Sequence, residues 1–261
     1  MSTMVETFDL PHASLLPAPG RAVQAELRPW GFWGSLGWGV FAMATGLFAV
    51  VIYQMIWMLT HQFHIPNAED VAFANVAGLV ASVAPLAVLG FAVSRTNYSL
   101  RDYFALNGIR RRDLVLGIAC LALLIAVATA AELLLGIDAG TKSVEATYRA
   151  ARTAGTLPLL WLFIVVVAPV AEELMFRGFL HRGFVRSWLG VAGTIVLTSA
   201  LWAALHLQYN FLGILYIFLM GLIFGWLRQR SGSTTLTIVL HAFNNLFATI
   251  VVAVQIEWFA Q

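Results

Sequence analysis

The chain has 261 residues, of which 60% are apolar and only 11% are charged, against about a quarter charged in ordinary soluble domains. That balance excludes a soluble globular protein and leaves no room for a sizeable water-exposed domain. The net charge of +2 argues against a nucleic-acid partner, which would need a basic surface, and the single cysteine, Cys120, excludes an intrachain disulfide.

Residues 1–29 open with "MSTMVETFDLPHASLLPAPG". This stretch is polar and contains prolines, and it lacks the basic-then-apolar pattern of a cleaved signal. It reads as a cytoplasmic disordered tail, followed by a membrane helical domain over residues 30–261. A hydrocarbon core of about 30 Å asks for roughly 20 apolar residues per helix. Seven such stretches follow, at about 32 to 59, 71 to 94, 114 to 136, 157 to 180, 190 to 208, 211 to 227 and 235 to 257. The expected fold is therefore all-α, a polytopic bundle of about seven transmembrane helices. Between the third and fourth stretches, residues 138–156 space small and apolar residues as a helix would, which suits a surface helix outside the membrane. Cys120, inside "GIACLALL", reads as packing. Gly221 and Gly225 form a G-x-x-x-G that suits a close helix contact in the sixth stretch.

Basic residues stay in the cytoplasm. With the N-terminus inside, the cytoplasmic connections hold twelve Lys and Arg, while only Lys142, Arg149 and Arg152 of all 15 fall outside. The expected orientation is N-in, C-out, in a cell membrane crossed many times. The clustering in "GIRRRD" is explained by this topology.

Ionisable residues within hydrophobic stretches are costly and are functional suspects by default. Here they are Glu132, Glu172, Glu173, Arg177, His206 and His241. Glu132 lies near the outer end of its helix and can reach the interface, so it reads as structural. His181, beside Arg182 and Arg186, reads as a solvated interfacial residue.

If the fourth and fifth stretches form a hairpin turning near Leu189 and Gly190, Glu172 and His206 stand equally far from the turn and meet at one depth. The fourth helix leaves hydrocarbon near residue 180, which puts Glu172 on the order of 12 Å inside the boundary, and His241 comes out on the order of 10 Å deep in the seventh helix by the same rise. His241 and Asn245, four apart, project from one helix face. Glu173 and Arg177 have the spacing and order of a helical ion pair. Adjacent Glu172 and Glu173 point about 100° apart, which suits Glu173 to hold Arg177 and Glu172 to face a cavity.

Three pieces, "EELMFR" (Glu172, Glu173, Arg177), "WAALH" (Trp202 to His206) and "HAFNN" (His241 to Asn245), follow one another on successive segments. In this order the chain resembles the CAAX protease and bacteriocin-processing family of intramembrane proteases, also called the Abi family, over about residues 157–250. Trp202 stands where the family more often has phenylalanine. The resemblance implies hydrolysis of a peptide bond in a membrane-associated substrate, a membrane-anchored or lipidated peptide or protein. The catalytic residues would be Glu172 as base, His206 holding the same water, and His241 with Asn245 binding the oxyanion. Glu173, Arg177 and Trp202 would support them.

Amide hydrolysis needs an activated water, a proton donor for the leaving amine and oxyanion stabilisation, and this set meets all three without a cofactor. The same Glu172, His206 and His241 could instead be a two-histidine, one-glutamate zinc site; the family has been described in both ways. The metal-free form is favoured because Asn245 beside His241 makes sense as an oxyanion donor. Other uses of such a bundle are a non-catalytic scaffold or regulatory partner of membrane proteins, and a proton-coupled transporter, which the lack of paired broken helices disfavours.

Overall fold

The computed structural model describes residues 28–66, 70–138 and 141–259. The expectation of a disordered tail over residues 1–29 falls almost wholly outside the described residues. Those described form helices and connections, in the order α1 (Phe32–Thr60), α2 (Val71–Ser94), α3 (Leu100–Tyr103), α4 (Arg111–Leu135), α5 (Thr141–Thr153), α6 (Leu157–Phe184), α7 (Gly190–Ala204), α8 (Phe211–Ser231) and α9 (Thr234–Phe259). Six of them, α1, α2, α4, α6, α8 and α9, are long and apolar enough to cross a membrane. With the shorter apolar α7, these are the seven stretches read from the sequence, and the fold is a polytopic helical bundle.

The helix expected over residues 190–208 is shorter than the sequence suggested. It ends at Ala204 after 15 residues, about 22 Å at 1.5 Å per residue. The physical reason is the next helix. Asn210 caps α8, its side-chain oxygen accepting from Gly213 N at 3.0 Å, so residues 205–210 must make the reversal. Tightened bonds do this, from Leu205 N to Trp202 O and from His206 N to Ala203 O. His206 consequently lies in the turn and not on the helix. Irregular backbone at membrane depth is tolerated where protein buries it or where it lines a cavity.

Small residues bring the helices together. A Cβ on Gly221 would meet the Ser199 side chain at 2.8 Å and one on Gly225 would meet Ile195 at 2.9 Å, so the G-x-x-x-G of α8 is the surface on which α7 packs. The bundle core gathers Phe179, Trp202, Phe224, Leu227, Leu236 and Leu240, all buried. Large apolar side chains outside it, such as Leu47, Leu123 and Leu133, are 69%, 67% and 81% exposed, the surface a bilayer would cover.

The segment expected to be a surface helix is α5. It buries Tyr148 and Ala151, Tyr148 packs with Val252 and Ile256 of α9, and Arg152 pairs with Glu257 at 2.8 Å. Burial and the neighbouring Glu257 charge push the Tyr148 phenol up. At the other end, the short α3 escaped the hydropathy reading because it is a single turn, capped by Ser99, whose hydroxyl accepts from Asp102 N at 3.1 Å. Its Tyr103 is fully buried, accepts from Trp30 N and is raised by burial to about 12. Arg182 of α6 donates to the carbonyls of Asp102 and Tyr103, which docks this turn on the bundle.

Candidate active site

The site begins with the backbone of α6. This helix is α-helical over Ala168–Glu173 but widens to π-helical turns on either side, at Leu162–Val167 and Leu174–Leu180. Such wide turns are frequent at functional sites. Pro169 explains an important part of the first. In the widened turn Ala168 N–H donates to Phe163 O, so the next carbonyl, that of Ile164, would look to residue 169. Proline has no N–H. The Ile164 carbonyl is thereby released to accept from a side chain, and Asn245 Nδ2 donates to it at 2.9 Å.

Glu172 and Glu173 leave the helix between the two wide turns and do different things. Glu173 is completely buried, as is Arg177, and the two pair at 2.9 Å. Arg177 also donates to Gly221 O at 3.3 Å. Its guanidinium lies 4.4 Å from the centre of the Trp202 ring. Among the described residues neither Glu173 Oε2 nor Arg177 Nε has a hydrogen-bond partner. A buried ion pair with unmet valences is weak as a source of stability, and removing one partner is the expensive event. The same Glu173 Oε1 stands 3.2 Å from His241 Nδ1. A carboxylate accepts, so Nδ1 carries the proton and the other ring nitrogen of His241 is left for other work.

Glu172 is half-buried, and its Oε2 accepts from Trp202 Nε1 at 2.6 Å. Trp202, 1% exposed, is the centre of the arrangement. Its indole contacts His206 edge-on at 5.6 Å and His241 edge-on at 5.3 Å, measured between ring centroids, and carries Arg177 on its face. The aromatic singled out in "WAALH" thus brings Glu172, Arg177, His206 and His241 around one ring. His206 Nδ1 donates to Trp202 O at 2.9 Å, so Nδ1 carries a hydrogen, and in the neutral ring Nε2 is the acceptor. Tyr209 stacks on His206 at 6.2 Å; burial, and secondarily the Glu172 charge, push its phenol up.

Asn245 does not join the indole in these contacts. It is held by Ile164 O and by a neighbour that the motif reading missed, Asn244, whose Nδ2 donates to Asn245 Oδ1 at 3.3 Å. Tyr216 of α8 in turn donates to Asn244 Oδ1 at 2.8 Å. The signals for this were the doubled asparagine in "HAFNN" and a lone tyrosine in an apolar helix.

The reading of His181 as solvated is corrected. It is 2% exposed and bonds through Nε2 to Gln229 Oε1 at 3.0 Å, because the end of α6 is covered by α8, whose Arg228 donates to Arg177 O at 3.1 Å. Glu132, expected to be structural, is half-buried near the end of α4. Among the described residues, no three His, Cys, Asp or Glu side chains stand together as a metal-holding group. The three residues that the zinc alternative would use, Glu172, His206 and His241, each meet the Trp202 side chain.

The resemblance drawn from the three motifs agrees with the comparisons. Residues 154–247 match the family model described as type II CAAX prenyl endopeptidase, Rce1-like. An uncharacterised 24.3 kDa protein of Escherichia coli is 41% identical over 90 residues, 32% of this chain and 39% of the relative. The chain thus spans about two fifths of the length of this curated relative. No solved structure gives a significant match.

Proposed function

We propose that the chain, whose residues 154–247 match the Rce1-like type II CAAX prenyl endopeptidase family model, is an intramembrane endopeptidase that hydrolyses a peptide bond in a prenylated or otherwise membrane-anchored substrate. The observation that carries the reading is the 2.6 Å bond from Trp202 to Glu172, made by an indole that also touches both histidines.

In the proposed reaction Trp202 holds one carboxylate oxygen of Glu172, and the other takes a proton from water. His206 Nε2, the acceptor nitrogen of the Nδ1–H tautomer, accepts the second hydrogen of the same water and orients it. The resulting hydroxide attacks the scissile carbonyl carbon. The oxyanion is met by one remaining N–H of Asn245, whose amide has two, and by His241, which in this role carries a second hydrogen on Nε2 besides the one that Glu173 accepts at Nδ1. Glu172 then passes its proton to the departing amine as the C–N bond breaks. Preorganised donors of this kind are usually the largest catalytic term. Water activation by these side chains alone is part of the proposal, as is the N-in, C-out orientation, which opens the Glu172 end of α6 toward the cytoplasmic leaflet.

The test is cleavage of a fluorogenic prenylated peptide by the purified full chain in bilayer nanodiscs. Wild type is expected to cleave and Glu172→Gln, nearly isosteric, to be inactive while folded. Equal cleavage by both would remove Glu172 from the reaction.

A further inference from the structure

We infer that Tyr216 and Asn244, which belong to none of the three motifs, are positioning residues that fix the direction in which the Asn245 amide presents its free N–H. The inference rests on the reading of Asn245 as an oxyanion donor and names what makes it one.

An asparagine side chain is nearly symmetric in shape, and a half-turn exchanges its donor and acceptor ends. Only its partners decide which end faces the reaction. Here the decision runs through three helices and is forced at each link. The Ile164 carbonyl can only accept, so it requires the Nδ2 end of Asn245, at 2.9 Å. Asn245 Oδ1 then faces Asn244, which must supply its own Nδ2, at 3.3 Å. Asn244 Oδ1 in consequence faces Tyr216, whose hydroxyl must donate, at 2.8 Å. The chain begins at an orphan carbonyl created by Pro169 and ends at a phenol that can turn its hydrogen to suit. With Asn245 Oδ1 and one N–H both engaged, a single N–H remains, on the face that His241 shares four residues earlier.

Asn244 is 92% buried (8% exposed), so removal of the Tyr216 hydroxyl leaves its oxygen without a donor. The relaxed outcome is a turned amide: Asn244 reverses to find another partner, Asn245 loses its lock, and the fraction of molecules with a productive N–H falls. A purely structural role would show in stability and would be independent of Asn245. A positioning role acts only through Asn245.

The experiment is a double-mutant cycle on the purified full chain in nanodiscs, read as kcat and KM on a fluorogenic prenylated peptide, with thermal midpoints alongside. Tyr216→Phe is expected to lower kcat by about three- to tenfold, the equivalent of one net hydrogen bond, with KM and midpoint little changed. Asn245→Ala is expected to lower kcat by about 10² or more, and Tyr216→Phe placed on it to cost nothing further. Pro169→Ala, which restores an N–H that Ile164 O can use, is expected to lower kcat in the same Asn245-dependent way. The inference is overturned if Tyr216→Phe costs the same factor with and without Asn245, or if it acts through KM or stability instead. If Asn245→Ala itself leaves kcat unchanged, the oxyanion reading fails, and that result is distinct from the failure of the relay.

Discussion

Glu173→Gln separates the two adjacent carboxylates most sharply. The substitution keeps the side-chain shape but removes the charge that lies 2.9 Å from Arg177 and 3.2 Å from His241, among groups that are at most 4% exposed. Breaking a buried pair typically costs about 3–5 kcal/mol because the surviving charge is stranded. Here Arg177 keeps the Trp202 ring at 4.4 Å and the Gly221 carbonyl at 3.3 Å, which places the cost at the lower end, about 3 kcal/mol. For a chain of this size that corresponds to a thermal midpoint lowered by roughly 6–12 °C. Glu172→Gln strands no such charge and should leave the midpoint nearly unchanged while abolishing cleavage. The assay is thermal unfolding in nanodiscs with residual cleavage measured on the same samples. A second variant completes the argument: Glu173→Gln with Arg177→Met, which removes both charges, should recover much of the lost stability. An unchanged midpoint for Glu173→Gln with cleavage lost as completely as in Glu172→Gln would refute the division of roles.

Other consequences are equally open to measurement. A reporter that works only in the cytoplasm, fused after Gln261, should be silent if the twelve-to-three distribution of basic residues sets an N-in, C-out orientation; strong activity would require an even number of crossings. Gly183→Ala would place a Cβ 1.8 Å from Ser35 Oγ and 2.8 Å from Trp30 O, so it should lower stability by about 1–3 kcal/mol through overpacking, and an unchanged unfolding midpoint would mean α1 and α6 are not in this contact. Burial raises the Tyr103 phenol from 10.0 to about 12, so its contribution to stability is full below pH 10 and lost as pH climbs through the folded value. Tyr103→Phe should therefore flatten the alkaline limb of a stability profile, and an identical limb in both proteins would count against that burial.

Much of this arrangement could be read before any coordinates. The division between Glu173 and Glu172 followed from a 100° step on a helix, and the structure pairs Glu173 with Arg177 as that step implies. The meeting of the Glu172 helix with the Trp202 to His206 segment followed from counting outward from a hairpin turn. What escaped was governed by local hydrogen bonding that hydropathy does not register. The end of α7 depends on Asn210 capping the next helix, four residues beyond His206. The wide turn at Leu162–Val167 depends on where a proline withholds its N–H, a signal present in "APVAEE" but legible only with the partner Asn245 in view. His181 looked solvated from its arginine neighbours, yet the bond to Gln229 comes from α8, 48 positions away. Asn244 and Tyr216 carry no spacing pattern, since their relation is between helices.

At the centre of the account is water activation by the side chains of this chain alone. The most direct measurement is metal content and cleavage on one preparation, before and after exhaustive treatment with chelators that reach the membrane cavity. The account predicts much less than one zinc per active chain and cleavage that survives chelation. Stoichiometric zinc whose removal abolishes cleavage and whose return restores it would contradict the account and make Glu172, His206 and His241 the ligands.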